Sequence, residues 1–274
     1  MTTVSVITGA GGMGVPTARN LGSDHHIVLF DNSQDRLDAA AAALDGIEVT
    51  AALGDVTDRA AVDALFATAT GIGPIASVVH TAGVSPSMGN AEFVSRINAL
   101  GTVNVDEALI ALDPGAVADG AAIVNVASMA AHLIPAELIP EKLFPSALTD
   151  PDSFIAALLE TYAPFPAEAQ SGFSYAVSKG FVKWYSWAQA ERFTAAGIRI
   201  VSVSPGSVDT DMGRLEAESG AGAMVEGANV PRWGTAQEMA DLFTYCVSDK
   251  AGYLTGTDIL NDGGVVASVL SRRA

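Results

Sequence analysis

Tyr175 and Lys179, in Ser174-Tyr175-Ala176-Val177-Ser178-Lys179, are the residues whose types and spacing could do chemistry. Four apart on a helix, two side chains share a face, one turn above the other. A phenol then sits beside an ammonium. A neighbouring positive charge favours phenolate and draws a tyrosine down from its ordinary value of about 10. Such a phenol can take or give a proton in a reaction. The spacing alone also arises by chance. Its weight comes from three other features: a glycine-rich first turn, an Asp after the second apolar run, and a Ser ending a later one.

The elements that must position this pair can be read from the pattern. Apolar, β-rich runs at Thr3–Thr8, His26–Asp31, Ile47–Leu53, Ile75–His80, Ala121–Ala127, Ile198–Ser204 and Thr257–Asn261 alternate with Ala-rich segments of helical length. Alternating strand and helix predicts an α/β fold of the Rossmann-like, doubly wound kind: a parallel sheet of about seven strands with helices on both faces. The runs are nearly continuous in apolar residues, as doubly covered strands should be. No repeat or low-complexity linker divides the chain, so residues 1–274 read as a single catalytic domain.

Thr8-Gly9-Ala10-Gly11-Gly12-Met13-Gly14 follows the first strand and opens a helix. Gly9, Gly11 and Gly14 satisfy the dinucleotide pattern G-x-G-x-x-G, in which glycine permits a tight turn and close approach of backbone to a pyrophosphate. The helix N-terminus offers free N–H groups to the phosphates. Asp31 ends the second strand twenty residues after Gly11, where an acid grips the adenosine ribose of NAD and repels the 2′-phosphate of NADP. Arg36 is the one residue that could soften that choice.

The formal charge of −17 disfavours nucleic-acid partners. No apolar run is long enough for a membrane span, and no signal peptide is evident. The single cysteine, Cys246, lies in an apolar helical stretch and reads as a buried structural thiol in a cytoplasmic protein. His25 and His26 read as solvated turn residues. His80 reads as a strand-end residue, and His132, four past Ser128, as structural. No His/Cys/Asp/Glu cluster has metal spacing, so no metal is expected.

The whole set resembles the short-chain dehydrogenase/reductase family in its single-domain form, from Thr3 to Gly264. Ser128, ending Ile123-Val124-Asn125-Val126-Ala127-Ser128, and Asn98, in Ile97-Asn98-Ala99, match the residues that join the Tyr and Lys in that family. Asp55-Val56 resembles its adenine-contacting pair and Ala82-Gly83 its strand-end Ala-Gly. Pro205-Gly206 resembles the turn after the sixth strand, with Val208 and Thr210 beyond it at the nicotinamide. The resemblance thus implies a cofactor site of Gly9, Gly11, Gly12, Met13, Gly14, Asp31, Asp55, Val56, Ala82, Gly83, Tyr175, Lys179, Pro205, Gly206, Val208 and Thr210.

Three departures stand out. Met13 and Val15 hold the family's usual glycine places. His80-Thr81 replaces its Asn-Asn. Ser128 to Tyr175 spans 47 positions, far more than in most relatives. The extra segment, 131–172, is proline-rich and contains a short helical pattern, Phe154–Glu160, with Asp152 or Ser153 as its expected cap. A long insertion here is similar to that of some bacterial hydroxysteroid dehydrogenase/carbonyl reductases. As a pocket lid it would present Leu133, Ile134, Leu138 and Ile139, facing Met212, Met224 and Val225. As a surface subdomain it would shape the oligomer instead.

The implied function is an NAD-dependent oxidoreductase that interconverts a secondary alcohol and a ketone, with a bulky apolar or steroid-like substrate. The resemblance gives Tyr175 the proton, Lys179 the tuning of the phenol and a ribose contact, Ser128 the substrate oxygen, and Asn98 a proton-relaying water. A sugar-nucleotide epimerase or dehydratase would use the same Tyr and Lys but usually has a larger C-terminal domain. A non-catalytic NAD sensor tends to lose them. A homodimer or homotetramer is implied, with Trp184 and Trp187 as candidate anchors.

Overall fold

The computed structural model describes residues 2–216 and 222–272. Seven parallel strands build the main sheet: β1 (Val4–Thr8), β2 (His26–Asp31), β3 (Val49–Leu53), β4 (Ile75–His80), β5 (Val117–Val126), β6 (Arg199–Pro205) and, last in the chain, β9 (Thr257–Asn261). Their order is β3-β2-β1-β4-β5-β6-β9, the doubly wound arrangement the alternation predicts. A two-stranded pair absent from the sequence reading, β7 (Val208–Asp209) and β8 (Gly234–Thr235), lies after β6. β5 begins four residues earlier than its apolar run. That extension holds Gly120 at a φ of +77° and pairs out of register with β4.

Helices α1 (Gly14–Leu21), α2 (Gln34–Ala43) and α12 (Ala236–Val247) cover one face. They bury Leu21, Leu37, Phe243 and Cys246 against Ile7, Val79, Val124 and Val201. The other face takes α3 (Arg59–Ile72), α5 (Gly101–Ile110) and the long α8 (Ala167–Ala188), which bury Phe66, Val105 and Phe181 on Val6, Val78, Ile123 and Ile200. The other α-helices among the described residues are α4 (Ala91–Ser95), α6 (Ala130–Leu133), α7 (Pro151–Tyr162), α9 (Ala190–Ala195), α10 (Asp211–Glu216), α11 (Gly222–Glu226) and α13 (Val265–Ser271). Side chains cap the starts of two of the face-covering helices. Thr235 and Glu238 form a reciprocal capping box on α12, and Ser33 caps α2.

The 131–172 segment is not an appendage. Phe144, Phe154, Ile155, Leu158 and Tyr162 are all buried in the α8-side core. Phe144 and Phe154 set their rings 5.2 and 5.3 Å from that of Phe181 on α8. The cap of α7 corrects the sequence expectation. Asp150, not Asp152 or Ser153, accepts from the Ser153 N–H, because Pro151 at the first helical position starts the helix two residues before an Asp152 cap would.

One register row of the sheet is polar from strand to strand: Thr8, His80, Asn125, Ser202 and Asp258 sit side by side across β1, β4, β5, β6 and β9. In-register neighbours point to one face, here the α5/α8 face. The first four are fully or almost fully buried. Such a row demands hydrogen-bond partners inside the core.

Candidate active site

The carboxyl ends of the strands hold the residues singled out by sequence. At the end of β1, Gly9 adopts a φ of +88°, and a Cβ on Gly14 would overlap the Gly9 carbonyl oxygen. The turn therefore excludes side chains at both positions. Gly11 differs: a Cβ there would meet nothing, so the loop faces open space ahead of α1. Free N–H groups beside open volume fit a dinucleotide pyrophosphate. Thr81, in the place of the family's Asn, ties this loop down, donating from Oγ1 to the Thr8 carbonyl at 2.8 Å.

Asp31 is more deeply engaged than a ribose ligand need be. Its Oδ2 accepts from the Ala10 N–H at 2.9 Å, inside the glycine loop. Its Oδ1 accepts from Ser33 N at 2.9 Å and from Arg36 Nε and Nη2 at 3.0 and 2.6 Å. Arg36, whose influence on cofactor choice the sequence left open, is thus placed directly on the acid. One strand over, Asp55 turns back to accept from Thr57 N and Oγ1, both at 2.8 Å, while Val56 is buried.

A cavity of about 330 Å³ opens beyond β4, β5 and β6. Ser128, Tyr175 and Lys179 all line it, with Met13, Gly83, Pro205, Gly206, Val208 and Thr210 around them. Lys179 is buried on α8; its Nζ donates to the Val126 carbonyl at 2.8 Å and lies 6.0 Å from the centre of the Tyr175 ring. Asn98 is not solvated. It sits in a π-helical turn, Arg96–Leu100, between α4 and α5. Its Oδ1 accepts from Val84 N at 2.9 Å, and its Nδ2 donates to Val84 O and Ser178 Oγ. A Cβ on Gly83 would lie 3.0 Å from Asn98 Oδ1 and 3.3 Å from Lys179 Nζ, which brings all three together. Ala82, beside Gly83, points its N–H at Thr8 Oγ1.

Several expectations need correction. Of the four proposed lid residues only Leu133 reaches the cavity. Ile134 and Ile139 pack on the core, and Leu138 is 42% exposed. Met212 and Met224 form the opposite wall as expected, but Val225, next along α11, faces a separate, smaller cavity. His25 and His26 are half-buried and bonded to Thr3 and Thr50 rather than solvated. His132 bridges elements, reaching Ser204 and Asp258 through Nε2. Val84 and Pro86, which no motif marks, also line the cavity; they closely follow the Ala82-Gly83 pair in the chain. Cys246 is buried and its thiol is pushed up to about 11 by that burial.

Residues 3–139 match the family described as short chain dehydrogenase, and residues 161–266 match the one described as enoyl-(acyl carrier protein) reductase. The chain belongs to the short-chain dehydrogenase/reductase family. It is an oxidoreductase of that family, whose members typically use a nicotinamide cofactor. A short-chain dehydrogenase/reductase of Alternaria brassicicola is 29% identical over 96% of this chain and 95% of its own. A galactitol 2-dehydrogenase (L-tagatose-forming) of Cereibacter sphaeroides is 27% identical over 95% and 93%. Among solved structures, levodione reductase superposes with a TM-score of 0.75 at 23% identity, covering 97% of this chain and 99% of its own. The short-chain dehydrogenase/reductase from Serratia marcescens BCRC 10948 gives 0.75 at 22%, over 96% and 98%. Among the described residues no group of His, Cys, Asp or Glu could hold a metal, and no helix is long and apolar enough to cross a membrane.

Proposed function

We propose that this short-chain dehydrogenase/reductase interconverts a secondary alcohol and a ketone with NAD, and that Tyr175 is its general acid/base. The observation that carries the reading is one cavity lined at once by Ser128, Tyr175 and Lys179, beside a glycine loop that fits a pyrophosphate. A nicotinamide bound there supplies or accepts the hydride. Tyr175 gives its phenolic proton to the substrate oxygen in reduction and takes one in oxidation. The Lys179 ammonium, held by the Val126 carbonyl, favours the phenolate and would hold the ribose of a bound cofactor. Ser128 donates to the substrate oxygen as negative charge develops on it. Asn98, locked by Val84 and Ser178, orients the polar environment behind Lys179.

The walls support an apolar substrate of some bulk. Val84, Pro86, Leu133, Met212 and Met224 line the cavity, and Lys179 is the charged residue among its described lining. Segment 131–172 then acts within one catalytic domain: its start forms a wall at Leu133, and its middle braces α8. Asp31 supports NAD over NADP, with Arg36 weakening the preference by partly neutralising the acid. Trp187, 65% exposed at the end of α8, supports a homodimer or homotetramer; Trp184 instead packs on the core and is not free to anchor one. The buried single thiol supports a reducing, cytoplasmic setting.

Tyr175→Phe tests the assignment. It keeps the ring and removes the proton donor. Turnover of a secondary-alcohol panel, read as NADH formation, should fall by about 10²–10⁴-fold while NAD affinity is retained. A folded Tyr175→Phe enzyme with near-normal turnover would refute the general-acid/base role.

A further inference from the structure

Beneath the cavity, the polar row of the sheet contains an arrangement the proposed chemistry does not use. Asp106, on α5, is fully buried against Asn125 on β5. Asn125 Nδ2 donates to Asp106 Oδ2 at 2.7 Å and reaches Ser186 Oγ at 3.3 Å. The other oxygen of each group, Asp106 Oδ1 and Asn125 Oδ1, is buried without a hydrogen-bond partner. A carboxylate and an amide oxygen are both acceptors only, so neither can satisfy the other. One proton on Asp106 resolves both at once. A carboxylic acid and a primary amide then close a ring of two hydrogen bonds, N–H to Oδ2 and O–H to the amide oxygen.

We propose that Asp106 is a neutral carboxylic acid in the folded protein, that its Oδ1–H donates to Asn125 Oδ1, and that this acid–amide ring is a positioning strut for the catalytic end of β5. The next residue after Asn125 is Val126, whose carbonyl holds Lys179, and Ser128 follows two further on. A tilt of the Asn125 peptide therefore reaches both groups. The surroundings favour the neutral form. The nearest charge on α5 is Glu107, of the same sign. Arg192, on α9, is committed to Glu107 and Gln189, and Arg59, on α3, acts on Glu107. Tyr185 on α8 donates to Glu107 as well. His80, next in the row on β4, stays neutral: burial first, and Lys179 second, hold its imidazole down to about 3. Desolvation, and then Glu107, push the Asp106 carboxyl well above the usual range; the Asn125 bond only partly opposes them.

The positioning role rests on the dehydrogenase reading of Ser128 and Lys179; the protonation does not, and the two are tested separately. A carboxyl raised in the folded state contributes stability that is complete below its unfolded value, near 4, and is lost as pH rises through the folded value. Asp106→Asn has no such proton. Above that unfolded value the unfolding constant of the unmodified protein should therefore rise with pH relative to Asp106→Asn, by up to about tenfold per pH unit. A ratio independent of pH would overturn the proposal. So would the absence, at pH 7, of an infrared band of a protonated carboxyl in the unmodified protein, a measurement that stands even if a variant does not fold. For positioning, Asp106→Leu leaves the Asn125 amide without its partner. Its kcat should fall by roughly ten- to a hundredfold with NAD affinity kept, and Asp106→Asn, which can rebuild an amide–amide ring, should restore most of it. Equal kcat in Asp106→Leu and the unmodified enzyme would overturn the strut while leaving the protonation test intact.

Discussion

Asp31 is expected to hold the cofactor loop together as well as to meet a ribose, and its removal should show in stability without any ligand. Asp31→Ala strips an acceptor from two backbone donors. The Ala10 N–H is buried, and leaving it unmet costs about 1–3 kcal/mol. The Ser33 N–H is only partly buried, so water replaces some of its bond, and about 1 kcal/mol is a fair share. The Arg36 pair adds little: with the Arg36 side chain 54% exposed it contributes ~0–1 kcal/mol. The sum is about 2–5 kcal/mol, which for a chain of this size lowers Tm by roughly 4–20 °C. Asp31→Asn should recover only part of this, because its single oxygen can serve Ala10 or Ser33 but not both. Thermal and urea unfolding of the three proteins without cofactor is the assay. An Asp31→Ala protein that melts within a degree or two of the parent would refute the argument and leave Asp31 a ligand of the cofactor alone.

Arg36→Ala should raise the NAD-to-NADP ratio of kcat/KM, since it leaves the Asp31 charge unopposed; a ratio shifted toward NADP would contradict this. His80 should govern part of the acid limb. Its folded value is lowered to about 3, so the unfolded chain binds the proton first and stability is lost as pH falls from about 6.5 toward 3, at up to ~1.4 kcal/mol per pH unit. His80→Asn should flatten that limb in acid unfolding, and an unchanged limb would show the imidazole to be charged in the native state. Cys246 should resist alkylation at pH 8 in the native protein and react on unfolding, because burial holds its thiol up to about 11.

Much of the fold was legible along the chain. Period, apolar runs and glycine positions are local signals, and β2, β4 and β9 fall on the residues their runs marked. The reactive pair was legible for the same reason: four residues on a helix is a fixed spacing, whatever surrounds it. Ser128 and Asn98 could be matched by motif, but only the packed sheet brings Gly83, Asn98 and Lys179 to one point. What sequence could not give depends on partners distant in the chain. Asp31 looked like a ribose ligand, and the loop that returns to it, 21 residues away, made it a brace as well. The 131–172 segment reads along the chain either as a pocket lid or as a surface subdomain, because its apolar residues have no visible destination; the aromatic face of α8 supplies one, and all but Leu133 of the lid's proposed lining turn inward or out to solvent. Asp106 carried no motif at all. Its neutrality is decided by burial opposite Asn125, a property of how α5 is rotated against β5, and desolvation exists only once those two elements are packed.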